Sequence, residues 1–240
     1  MIYVHQINTI RDGKFAKLYE AVQETAAPIA ERLDVRLLGY WETLPSQGLW
    51  PQTVAVWEFD DFSHYVRVTE ALHGSNREAD AQRWLEQRGE WITSTESLLC
   101  YKSALSPTAA ELQASGLRAP LCTHEYVHCK PARQAEYLEL CEEMWWRRVA
   151  EPAGRSLIGL YWSPWKNTRA INIWGQGETW EECNPMGRTA AWENDVNFDI
   201  WQTLGQAIRD DWDDLHSVVD ADERSNLSSL RRSDEWSGDG

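Results

Sequence analysis

The residues best equipped for chemistry are four histidines, His5, His64, His124 and His128, with Tyr126 between the last two. An imidazole titrates near neutral pH, so a well-placed histidine is the usual general acid or base. His124, Tyr126 and His128 alternate along one stretch and converge on one face if that stretch is a strand. Two-residue spacing on a strand splays the rings, and no fourth ligand is evident, so proton transfer or hydrogen bonding to a substrate suits the trio better than a metal. An exposed or interface-facing polar strand would carry the same pattern. His64 follows Asp61 by three residues, which fits either a working imidazole or a histidine packed at a helix start. The acidic run Asp210-Asp211-Trp212-Asp213-Asp214 reads as a solvated face rather than a magnesium site. No metal site is expected, and no P-loop, GxGxxG, HExxH or GxSxG element occurs.

Fifteen tryptophans set this composition apart. Most belong in a core, and some can wall a cavity that prefers apolar or aromatic ligands. Tyr40, Trp41, Trp57, Tyr161, Trp162 and Trp174 are the candidates, with His128, for contacts to a substrate. The net charge is −15, from 23 basic and 38 acidic residues. A field of that sign repels phosphate backbones and anionic lipid, so neither nucleic acid nor membrane is expected as a partner. No apolar run approaches the roughly 18 residues of a spanning helix, and the first residues read as a strand rather than a leader. Five cysteines without CxxC spacing fit a reducing cytoplasm.

These residues are positioned by a module that occurs twice. Gly39-Tyr40-Trp41 followed by Val54-Ala55-Val56-Trp57 returns as Leu160-Tyr161-Trp162 followed by Ile171-Asn172-Ile173-Trp174. His5 and His124 stand 119 residues apart, Trp41 and Trp162 121, Trp57 and Trp174 117. The first copy reads as strand Ile2–Ile10, a helix bent or split at Pro28, strands Val35–Glu42 and Thr53–Phe59, a helix capped by Asp61, a further helix from about Glu78 to Trp91, and strand Ser97–Ser103. That β-α-β-β-α-β order is ferredoxin-like. The expected organisation is an α+β chain with a first repeat at 1–105, a linker at 106–119, a divergent second repeat at 120–219 and a polar tail at 220–240. Leu215–Val219 is the one candidate for the second repeat's last strand.

Ile2-Tyr3, Thr9-Ile10-Arg11-Asp12-Gly13-Lys14, Gly39-Tyr40-Trp41-Glu42-Thr43 and Trp57-Glu58-Phe59-Asp60-Asp61 with His64, in that order, resemble the NIPSNAP domain of the dimeric α+β barrel superfamily. The resemblance covers about 1–105 well and about 120–219 more weakly, through Lys130-Pro131, Tyr161-Trp162 and Trp174. It implies two ferredoxin-like sheets packed face to face as a barrel. It also implies a superfamily that includes cofactor-independent monooxygenases, small-molecule isomerases and lyases, cyclases and haem-dependent enzymes. The family commonly carries an apolar residue where His5 stands, and a histidine recurs at the His64 position, where a haem-dependent variant would find its axial ligand.

The expectation is a small-molecule enzyme acting on an apolar or aromatic metabolite with no cofactor, by proton transfer in isomerisation, lyase or cyclisation chemistry, or by oxygen insertion into an activated phenol. His5, His64, His124 and Tyr126 would move or hold protons. The alternatives are a non-catalytic binding or interaction module, which could pair with a second copy through sheet edges, and a haem-binding barrel.

Overall fold

The structure, a computed structural model, describes residues 1–44, 50–75, 77–117, 119, 121–142, 146, 151, 155–176 and 226–232; side chains at 128, 140 and 226–232 are not among those described. The chain divides into two compact units, Met1–Tyr101 with Leu230–Gly240, and Lys102–Ser229.

The first unit is built on β1 (Ile2–Ile10), β2 (Arg36–Thr43), β3 (Gln52–Phe59) and β4 (Ile92–Lys102). β1 lies between β3 and β4, and β2 flanks β3, all antiparallel, which gives the ferredoxin-like order β4-β1-β3-β2. The connecting helices are α1 (Phe15–Ala21), α2 (Ala27–Arg32), α3 (Phe62–His73) and α4 (Ala79–Trp91). A π-helical stretch, Val22–Ala26, joins α1 to α2 and carries the chain to Pro28 at the start of α2. The break foreseen at Pro28 therefore begins one turn earlier. Proline lacks an N–H, and a first-turn position needs none.

Helices cover one face of this sheet. Ile2, Val4, Val35, Phe59 and Val68 form one buried cluster; Ile10, Phe15, Leu18, Val22, Ala26, Tyr40 and Ala55 form the other. α3 presents Tyr65, Val68 and Leu72 to the first cluster, and its N-terminus is capped as the sequence suggests, with Asp61 Oδ1 accepting the His64 N–H at 2.7 Å. On the opposite face Tyr3 and His5 are also buried, at 0% and 1% exposure, so β1 is packed on both sides.

The second unit repeats the pattern with β5 (Leu121–His128), α6 (Gln134–Leu140), β6 (Ser156–Ser163) and β7 (Lys166–Gly175), ordered β5-β7-β6. After α6 the backbone turns π-helical at Cys141, as it does at Val22. Register fixes the correspondence between the copies. His5 opposes Val56 and His124 opposes Ile173, so those histidines are equivalent.

The match of Trp41 with Trp162 is corrected by one residue. Each second strand shifts register just before a glycine: Leu37 opposes Trp57 and Gly39 opposes Val56, while Leu157 opposes Trp174 and Gly159 opposes Ile173. The equivalent pairs are thus Gly39 with Gly159 and Trp41 with Tyr161. Both glycines serve the same end. A Cβ on Gly39 would lie 2.0 Å from the Trp41 indole, and one on Gly159 would lie 2.2 Å from the Tyr161 hydroxyl oxygen. An aromatic side chain occupies the space beside the bare backbone in each copy.

Two stretches hold more structure than their composition suggests. The linker contains α5 (Ala109–Ser115), capped reciprocally by Thr108 and Glu111, and Ser106 Oγ bridges both polar groups of the Leu160 backbone. The expected tail contains β8 (Asn226–Arg232), whose Leu230–Arg232 pairs with Trp41–Thr43. The candidate strand at Leu215–Val219 and the acidic run at 210–214 lie outside the described residues. Among the described residues no helix is long and apolar enough to cross a membrane.

Candidate ligand pocket

In the first unit the helices do not close fully onto the sheet. They leave a cavity of about 260 Å³. Its floor is the helix-side face of the sheet, with Val4, Gln6, Asn8, Tyr40, Trp57 and Phe59. Leu18, Val22, Ala26 and Ile29 wall one side from α1, the π-helical stretch and α2, and Val68, Leu72 and Trp84 wall the other. The π-helical stretch helps shape it: the extra residue per turn brings both Val22 and Ala26 inward, and such stretches recur at functional sites.

A strip of polar groups crosses this apolar floor. Arg88 Nη2 donates to Thr95 Oγ1 at 2.9 Å, and Thr95 Oγ1 donates to Asn8 Oδ1 at 2.9 Å. Asn8 Nδ2 and Tyr40 OH both donate to Thr53 Oγ1, at 3.3 and 3.2 Å. Tyr40 packs against the rings of Phe15 and Tyr19, at centroid distances of 6.5 and 6.3 Å. Burial pushes its phenol well above the ordinary range, so it stays a neutral donor. His73, the last residue of α3, stands at the pocket's edge. Partial removal from water, then the nearby Arg88 and Arg77 cations, lower its pKa and keep the imidazole neutral and able to accept a proton.

Of the substrate-contact candidates, Tyr40 and Trp57 line the cavity. Trp41 is on the other face, 2% exposed, with its Nε1 donor unpartnered. His5 shares that other face. His64 is buried at the start of α3, where its Nδ1 accepts from the Asp60 N–H at 3.2 Å and its Nε2 lies 2.7 Å from the Leu33 carbonyl. With both ring nitrogens committed to backbone, His64 does not suit axial ligation of haem. Among the described residues no cluster of three or more His, Cys, Asp or Glu is placed to hold a metal ion.

In the second unit His124 is 1% exposed and meets Tyr126 edge-on, at 4.8 Å between centroids. The Arg169 guanidinium lies 4.6 Å from the centre of the Tyr126 ring. Tyr161 is fully buried, Trp162 packs at the edge of the core, and the backbone of His128 ends β5. Trp174 stacks on Trp146 and donates through Nε1 to Glu125 at 3.2 Å. Glu125 also accepts from Asn172, which in turn donates to Tyr137 OH at 2.7 Å. The matching positions in the first unit are Gln6, Ala55 and Leu18, so the hydrogen-bond network of the second copy has no counterpart in the first.

His73, Arg88, Gln6 and Asn8 were not singled out from sequence. Arg88 did leave a signal: Ala81, Trp84 and Arg88 fall at i, i+3 and i+7, which puts a cation on the inward stripe of α4.

The first unit is thus a ferredoxin-like α+β domain with a sheet–helix pocket. Residues 6–107 match the NIPSNAP family model. A structurally determined NIPSNAP domain protein from Burkholderia xenovorans shares 24% identity over 45% of this chain and 100% of its own, with a TM-score of 0.39. Two proteins provisionally assigned as monooxygenases match along nearly the whole chain. The one from Lactobacillus acidophilus has a TM-score of 0.56 at 8% identity, covering 96% of this chain and 93% of its own. The one from Fusobacterium nucleatum has a TM-score of 0.53 at 9% identity, covering 96% and 91%. At such identities the likeness is one of fold. A search of curated protein sequences finds no match.

Proposed function

We propose that this protein is a small-molecule enzyme that binds a compact, largely apolar metabolite between the sheet and helices of its first unit. The observation that carries the reading is the cavity itself, apolar on most sides, crossed by one polar strip and edged by an imidazole kept neutral. Convergent polar groups in an apolar pocket are what orientation of a small ligand requires. In this reading His73 takes a proton from the bound molecule at the pocket's edge, and Tyr40 OH, with Gln6 and Asn8, orients its polar atoms. The chemistry is proton transfer, as in isomerisation, elimination or cyclisation, and uses no bound cofactor. The fold likeness to provisionally assigned monooxygenases keeps oxygen insertion into an activated phenol as the neighbouring possibility.

A second arrangement is favoured by the matched register of His5 and His124 and by the contact of His124 with Tyr126. There the proton-moving groups stand on the sheet faces away from the helices. The two are separated by one experiment. Metabolite extracts are incubated with the wild-type protein, His73→Ala and His124→Ala, and depletion is followed by mass spectrometry. A compound consumed by wild type and His124→Ala but spared by His73→Ala supports the pocket. Dependence on His124 alone favours the second arrangement. Retention of a compound without conversion would make the protein a binding module.

A further inference from the structure

We propose that the pocket of the first unit selects an organic monoanion, an apolar body ending in a carboxylate, and that Arg88 is its anchor. This rests on the reading of that cavity as the ligand site.

Arg88 lies half-buried on the inward stripe of α4, among Trp84, Ile92 and the aromatic floor. A guanidinium has five N–H donors, and the hydrogen bond to Thr95 uses one of them. Among the described residues no carboxylate comes within ion-pair distance of Arg88, although the chain has 38 acidic residues, and no Asp or Glu lines the cavity. Arg32, Arg36 and Arg133, by contrast, each meet an acidic partner. A cation held part-way out of water without a counter-charge is costly, and a protein that keeps one on a pocket wall has left a partner position open. The planar fork of arginine suits a carboxylate, which it can bind through two parallel hydrogen bonds.

The remaining lining sets the rest of the ligand. The walls are aliphatic and aromatic, and the polar strip from Arg88 to Tyr40 offers only hydrogen bonds to uncharged groups. The volume, about 260 Å³, corresponds to about nine waters at ~30 Å³ each. One half-buried cation and a small chamber fit one negative charge on a flat one- or two-ring body better than a phosphate ester.

Calorimetric titration with 2-naphthoate and its uncharged isostere 2-naphthamide tests this. Wild-type protein should bind the acid about 10- to 100-fold more tightly than the amide, the range expected of a charge-assisted hydrogen-bonded pair. Arg88→Gln should bring the two affinities together with amide binding retained, and Arg88→Lys should keep part of the preference. Equal affinities in the wild type, or a preference that survives Arg88→Gln, would overturn the anchor while leaving the pocket standing. If neither probe binds, or if filling the cavity by Val22→Trp leaves binding of both unchanged, the pocket reading fails and the anchor with it.

Discussion

The ring-against-glycine arrangement makes a quantitative prediction. The φ of Gly39 lies outside the left-handed region, so this glycine is required for space rather than for backbone conformation. Gly39→Ala would put a methyl group 2.0 to 2.7 Å from three atoms of the Trp41 indole. The ring is 2% exposed and has little room to retreat, so the expected cost is that of overpacking, about 1–3 kcal/mol. Trp41→Ala alone removes a fully packed indole and should cost about 3–5 kcal/mol. Combining them removes the clash. In the Trp41→Ala background, Gly39→Ala should be neutral or stabilising by about 0.5 kcal/mol, because alanine loses less backbone freedom than glycine in a strand. The double-mutant cycle, read from urea unfolding free energies, should show a coupling of about 1–3 kcal/mol. The same cycle on Gly159 and Tyr161 should behave alike, since the registers make them the equivalent pair. Additive effects at Gly39 and Trp41 would refute the steric argument. Coupling of Gly159 to Trp162 but not to Tyr161 would refute the alignment of the two copies.

Three further outcomes follow from single contacts. In an NMR titration His73 should lose its proton below the usual histidine range, and Arg88→Gln should move that midpoint upward. Because the native imidazole binds its proton less readily than the unfolded one, stability falls as pH drops from the ordinary histidine range to the lower native value. Asp61→Ala removes the cap of α3 and should cost about 1 kcal/mol in thermal or urea unfolding, with Asp61→Asn close to wild type. Burial pushes the Cys129 thiol up to about 12, so its alkylation by iodoacetamide at pH 8 should be about a thousandfold slower in the native protein than in urea. Equal rates would show that the strand does not bury it.

Much of the fold can be read from residues alone because burial imposes a pattern. Short apolar runs in Ile2–Ile10 and Thr53–Phe59 mark two strands buried on both faces, Asp61 before Phe62 marks a helix start, and the spacing of His5 and His124 marks a repeat. The one-residue slip between Trp41 and Trp162 escaped for a specific reason. A register shift displaces side chains without altering composition, and Tyr-Trp occurs at Tyr161-Trp162, one place beyond the true match. The glycine common to Gly39 and Gly159 was the better guide, since its role is steric and cannot be passed to a neighbour.

The site was less legible. Tyr40 and Trp57 were picked out as aromatic, but which face of the sheet carries a cavity depends on how α1, α3 and α4 pack, and no local pattern encodes that. Arg88 sits in a helix rich in charged residues, where one cation on the inward stripe passes for surface. His64 attracted notice through its place in a motif, yet its two backbone hydrogen bonds explain that place by packing.

The account depends on ligand binding between the sheet and helices of the first unit. A crystal structure of the protein soaked with 2-naphthoate tests this most directly. The account predicts the rings over Tyr40 and Trp57, with the carboxylate on the Arg88 guanidinium. A ligand held instead beside His5 or His124, with the helix-side pocket empty, would contradict it.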